Sequence, residues 1–111
     1  MAKFMVLYRS SVSARDQMAS ATTEQAQAGM EAWMSWAAKA GDAIADMGAP
    51  LATVTHLGPG SAAEGATQVT GFSVLQAETA GELTSLLDGH PHLHMADGSI
   101  DVLEFLPMPG S

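Results

Sequence analysis

The chain has 111 residues, 47% apolar and 14% charged, with twelve acidic against four basic side chains and a formal net charge of −8. That composition fits one folded domain over residues 1–111 with a core of modest size, and excludes a disordered chain. The acidic balance, without any Lys/Arg cluster, argues against nucleic acid and anionic lipid as partners; the absence of cysteine excludes disulfides and thiolate chemistry, and no apolar run approaches the ~20 residues that span a bilayer.

Residues 3–9 read as a strand with Phe4, Val6 and Tyr8 on one side and Met5, Leu7 and Arg9 on the other, so both faces call for cover. This apolar opening is too short for a signal peptide and ends at Arg9 without a small-residue cleavage site, which makes the cytoplasm the expected location. Thr22 and Gln25 have the spacing of a capping box, and Glu24 suits the positive end of a helix dipole. The helix they open carries Ala26, Met30, Trp33, Ala37 and Ala40 as one apolar stripe, widened by Met34, and Gly41 stops it. Trp36 falls off that stripe, as an exposed aromatic or part of a second contact surface.

Residues 42–50 carry no clear period, although Ile44 and Met47 suit packing and Gly48-Ala49-Pro50 suits a turn. The alternation at 51–57 predicts the second strand, and residues 58–65 have the composition of a loop. Residues 68–77 alternate again and predict the third strand. Thr79 with Glu82 opens a short helix that turns Leu83, Leu86 and Leu87 inward and stops at Gly89. A last strand is expected at 99–106, ended by Pro107-Met108-Pro109-Gly110.

The order β-α-β-β-α-β is that of the ferredoxin-like α+β fold: a four-stranded antiparallel sheet with both helices on one face. Helices cover one face only, yet the strands are apolar on both. The uncovered face would be a large exposed apolar patch, and a second copy of the sheet packed across a two-fold axis is its simplest cover. A homodimer through the sheet face is therefore expected.

The opening Lys3-Phe4-Met5-Val6-Leu7-Tyr8-Arg9, the helix with Trp33, the segment Asp88-Gly89-His90-Pro91-His92-Leu93 and the ending Ile100 to Gly110 resemble the YCII-related family of the dimeric α/β-barrel superfamily. The resemblance implies a ferredoxin-like protomer, pairing sheet to sheet, and a cleft between sheet and helices. The superfamily includes muconolactone isomerase-like enzymes and small monooxygenases. Two departures keep the family's chemistry from being carried over. The first helix has no histidine, and the Asp-Gly-Pro-Phe signature of some relatives has only Gly58-Pro59-Gly60 as its nearest counterpart.

Three of the four histidines lie in His90-Pro91-His92-Leu93-His94. If that stretch is extended, all three point to one side; if Pro91 turns it, they do not. Histidine titrates near neutrality, so His90 and His92 are candidate acid/base groups, with Asp97 or Asp101 to orient them. Structural loop histidines and a metal site built from His90, His92, His94 and Asp97 are the alternatives, the latter matching no specific spacing motif. Tyr8, Arg9, Trp33 and His56 are candidate ligand-binding residues. His56 suits a partly buried strand position, Arg9 suits an ion pair, and Met30, Trp33 and Met34 suit either core or an adaptable pocket wall. No nucleophile elbow, P-loop or dinucleotide fingerprint occurs. The expectation is a dimer that binds a small organic molecule, with cofactor-free proton transfer of the isomerase, lactone or small organic acid type, or else a non-catalytic binding or interaction dimer.

Overall fold

The computed structural model describes residues 1–60 and 67–109, so the predicted loop at 58–65 falls largely outside it, as does Gly110. The described elements are β1 (Ala2–Ser10), α1 (Ala14–Ser20), α2 (Thr23–Ala40), a 3-10 turn (Gly41–Ala43), β2 (Ile44–Pro50), β3 (Gln68–Ala77), α3 (Ala80–Leu87), a second 3-10 turn (Pro91–His94) and β4 (Ser99–Glu104). The strands form one antiparallel sheet in the order β2-β3-β1-β4, the ferredoxin-like arrangement.

Strand β1 lies at the centre because it is apolar on both sides and can pair on both edges. Phe4, Val6, Tyr8 and Ser10 are buried on one face, while Met5, Leu7 and Arg9 alternate onto the other. Its register brings Met5 beside Val74 and Leu103, and Leu7 beside Phe72, so the second face carries an apolar band. The helices pack on the first face. The core joins Phe4, Val6 and Tyr8 to Leu75 and Ala77 of β3, Trp36 and Ala40 of α2, and Leu83 and Leu87 of α3.

Both predicted helix starts form as read. The Thr22 hydroxyl accepts from the Gln25 N–H at 3.0 Å, and the Gln25 side chain accepts from the Thr22 N–H at 2.9 Å. Thr79 accepts from the Glu82 N–H at 3.1 Å. Gly41 closes α2 with a φ of 55°, a conformation that costs glycine little.

Three expectations are corrected. The second strand lies at Ile44–Pro50, not at 51–57, which carries no regular structure and leaves Val54 and Leu57 exposed. An edge strand needs a partner more than it needs alternation. Ile44 packs partly against the core, Asp46 bends the strand by accepting the Gly48 N–H at 2.8 Å, and Pro50 sits where an edge tolerates it. Gly48, at φ 81°, permits the bend, since a Cβ there would overlap the Phe72 carbonyl oxygen. The short helix α1 is additional. It is capped by Ser13, whose hydroxyl accepts from the Asp16 N–H at 3.1 Å.

The third correction is the face of α2. Trp36 is in the core at 5% exposure, and its indole N–H donates to the Leu86 carbonyl at 3.1 Å, whereas Met30 and Met34 are 64% and 58% exposed. The buried stripe runs through Trp33, Trp36, Ala37 and Ala40, because the larger area of an indole outweighs two methionines in choosing which face turns inward. Among the described residues no helix is long and apolar enough to cross a membrane.

Two truncations distinguish this packing from the predicted stripe. Trp36→Ala is expected to lower the unfolding free energy by about 3–5 kcal/mol, and Met34→Ala to change it by under about 0.5 kcal/mol. Urea denaturation measures both; similar losses in the two variants would contradict the observed helix face.

Candidate functional site

Beyond the core, the first half of α2 stands away from the sheet and leaves a cleft of about 1010 Å³. Its walls come from α1 and α2 on one side and from the ends of β1, β2 and β3 on the other. The turn Pro91–His94 closes one flank. Tyr8, Trp33, Met30, Met47, His92 and Met95 are among the side chains that line it. Met30 is exposed because it looks onto this open space and not onto the sheet.

Tyr8 forms the floor. Its hydroxyl donates to Ser73 Oγ at 2.9 Å, and Ser73, fully buried, donates to the Met47 carbonyl at 2.7 Å, tying β1, β3 and β2 together at the cleft. Burial pushes the Tyr8 phenol above its ordinary range, the Ser73 bond opposing this only in part, so it remains a neutral group. Trp33 stands edge-on to Tyr8 with ring centroids 5.0 Å apart.

The histidine segment turns at Pro91, which separates the three rings. His90 is fully buried behind the wall, stacked on Tyr8 at 5.1 Å and in T-shaped contact with Trp33 at 4.6 Å and Trp36 at 4.4 Å. Its Nδ1 accepts the His92 backbone N–H at 3.0 Å. In the neutral ring the proton must then sit on Nε2, which is buried without a hydrogen-bond partner in aromatic surroundings. Desolvation first, then the charges of His92 and His94, hold this histidine down to about 4. Protonation would also set an N–H against the N–H of His92 and cost that bond. His90 is thus neutral and structural in position.

His92 is on the cleft wall. Its Nε2 lies 2.7 Å from the Arg9 carbonyl, and a carbonyl only accepts, so Nε2 carries a proton and, in the neutral ring, Nδ1 is the lone-pair nitrogen. His94 lines the same cleft. Gly98 lets the chain fold tightly here, because a Cβ would overlap the His92 carbonyl oxygen.

The other predicted residues divide. Asp97 bonds to no histidine: it accepts from Ser10 Oγ at 3.2 Å, from the Ser11 N–H at 3.0 Å and from the Ser11 hydroxyl, which holds its carboxyl below the usual range and pins the loop after the turn to the end of β1. Arg9 points to the opposite sheet face, 3.7 Å from Asp101, and reaches Thr67; it serves the cleft only through its carbonyl. His56 is exposed in the irregular segment after β2, its Nε2 on the Pro59 carbonyl at 3.1 Å, and does not line the cleft. Among the described residues no three or more His, Asp or Glu side chains gather as a metal-binding group. The α1 wall and Met47 to Pro50 were not read from the sequence; Ser13 with Asp16, a second capping pattern, was the available signal for α1.

No family model matches the chain, and no curated protein matches it in sequence. Among solved structures it is similar to 5-chloro-2-hydroxyhydroquinone dehydrochlorinase (TftG) from Burkholderia phenoliruptrix AC1100, in complex with 2,5-dihydroxybenzoquinone. The TM-score is 0.54 at 15% identity, covering 96% of this chain and 94% of that one. At that identity the likeness speaks for the fold, end to end.

The buried His90 gives a pH dependence of definite sign. Unfolded histidine titrates near about 6.5, while folded His90 does so at about 4, so between these values the unfolded chain binds the extra proton. Its stabilising contribution is complete above the upper value and is lost as the pH falls through the window. Urea unfolding is expected to show stability rising with pH there, with up to about 1.4 kcal/mol per pH unit from this one group. His90→Asn, which keeps an acceptor for the His92 N–H, removes that part of the slope. An unchanged slope in the variant would assign the effect elsewhere.

Proposed function

We propose that the chain is a cytoplasmic protein of the YCII-related kind that binds a small ring-shaped organic molecule in the cleft, as a homodimer. The observation that carries this reading is the cleft itself: a large open space with aromatic and methionine walls and only a few polar groups, the usual character of a small-molecule site. Trp33, partly buried and set at 83° to the buried Tyr8 ring, offers the cleft an aromatic surface, which suits a flat partner. The dehydrochlorinase of the same fold holds a quinone, which points in the same direction.

His92 is the residue best placed to act on such a ligand. Its Nε2–H is held by the Arg9 carbonyl, an arrangement that fixes the tautomer and ring orientation and leaves Nδ1 as the acceptor for a hydroxyl proton. His90 acts in this reading as a positioning residue, since its Nδ1 anchors the backbone of His92. If there is a reaction, proton transfer by His92 needs no cofactor.

The homodimer is supported by the second face of the sheet. Met5, Leu7, Phe72 and Val74 alternate onto it, and Leu103 and Phe105 extend the apolar band with about half of each exposed. Packing two such faces together about a two-fold axis removes both patches at once.

Titration calorimetry with phenol, catechol and hydroquinone tests the site. Binding is expected in the wild type, with affinity reduced by about tenfold or more in Trp33→Ala and in His92→Ala, as loss of one ring contact or one hydrogen bond implies. A wild type that binds none of them, or variants that bind as tightly, would remove the site. Light scattering at micromolar concentration is expected to give a dimer, and Leu103→Glu with Phe105→Glu a folded monomer; a monomeric wild type would contradict the sheet-to-sheet interface.

A further inference from the structure

Among the described residues, the walls of the cleft are built of apolar and polar side chains and two histidines. None of the described residues lining it is Asp, Glu, Lys or Arg, although the chain has twelve acidic and four basic side chains. The walls are not simply far from charge. Arg15 and Asp16 lie on α1, Glu24, Glu31 and Lys39 on α2, Asp46 on β2, and Lys3 and Arg9 on β1, all outside the lining. Arg9 is engaged with Thr67 and Asp101 on the opposite face. The titratable groups on the walls are Tyr8, whose proton is committed to Ser73, together with His92 and His94.

The start of α2, where Gln25 reaches the lining, offers an anion little. The Gln25 N–H is taken by the Thr22 hydroxyl and the Thr22 N–H by the Gln25 side chain, and Glu24 already occupies the positive end of the helix. An anion entering this space would give up hydration without gaining an ion partner, and would approach against a net charge of −8. The free Nδ1 of His92 is an acceptor, so it favours a partner that brings a proton.

Resting on the reading of this cleft as a small-molecule site, we propose that it selects un-ionised ligands: a neutral hydroxylated ring enters with its hydroxyl proton in place and donates it to His92 Nδ1, while the phenolate of the same molecule and carboxylates of similar shape are refused. The organic acids expected from sequence are accordingly poor ligands. The filter is the absence of Asp, Glu, Lys and Arg from the described walls, and not a repelling residue.

Calorimetry and absorbance with 4-nitrophenol, phenol and benzoate test this on the wild-type protein, over the pH range in which nitrophenol ionises. Nitrophenol affinity is expected to fall by about tenfold per pH unit above its own ionisation, as the competent fraction falls. Phenol, which stays neutral in the same buffers, controls for titration of the protein and is expected to bind unchanged. The bound nitrophenol shows the spectrum of the neutral form, and benzoate gives no heat. Met30→Arg, which brings a guanidinium to an exposed wall position, raises benzoate affinity by about tenfold or more. A phenolate spectrum for bound nitrophenol, benzoate binding to the wild type as tightly as phenol, or continued exclusion of benzoate by Met30→Arg would overturn the proposal while leaving the cleft a ligand site. Absence of binding by every neutral probe would bring down the site reading itself.

Discussion

One hydrogen bond organises the turn on the flank of the cleft: the His92 N–H donated to Nδ1 of the buried His90. For that bond to exist the His90 ring must be neutral, and its burial among Tyr8, Trp33 and Trp36 keeps it so. The bond draws residues 90–94 into a tight turn, and the turn carries the His92 ring to the Arg9 carbonyl. Gly98 and Asp97 then hold the chain that leads away to β4. A buried imidazole with one unsatisfied N–H is a poor use of core volume if stability is the sole requirement. It makes sense as the support of a neighbouring histidine.

The same economy shapes α2. Its second half supplies Trp36 and Ala40 to the core, while its first half supplies Met30 and Ala28 to the cleft wall. One helix thus fixes the depth of the core and the width of the cleft. Because the sheet is covered by helices on one face only, the opposite face is left with an apolar band.

Much of this fold was legible in the sequence, and the limits have physical causes. The strands β1 and β3 carry apolar residues at alternate positions because they are central and packed, and the N-caps at Thr22 and Thr79 need only local hydrogen bonds. Strand β2 is not legible in the sequence because an edge strand bent at Asp46 and Gly48 buries too little to imprint an alternation, whereas residues 51–57 alternate without forming a strand. Trp36 was set aside because the spacing of smaller apolar residues outnumbered it, though burial is governed by area. Of the residues singled out from the sequence, Tyr8, Trp33 and His92 lie on one cleft, while Arg9, His56 and Asp97 do not line it. Whether the histidine segment was extended or turned could not be decided from the sequence, because the answer depends on a hydrogen bond between one side chain and the backbone two residues later.

Imidazole nitrogen NMR on the labelled protein reads the protonation pattern of the two histidines directly. His90 is expected to stay neutral with its proton on Nε2 until the pH falls to about 4, and neutral His92 to carry its proton on Nε2 as well, with an unprotonated Nδ1 that shifts when a neutral phenol is added. A His90 that titrates as an ordinary exposed histidine, or a His92 protonated on Nδ1, would contradict it.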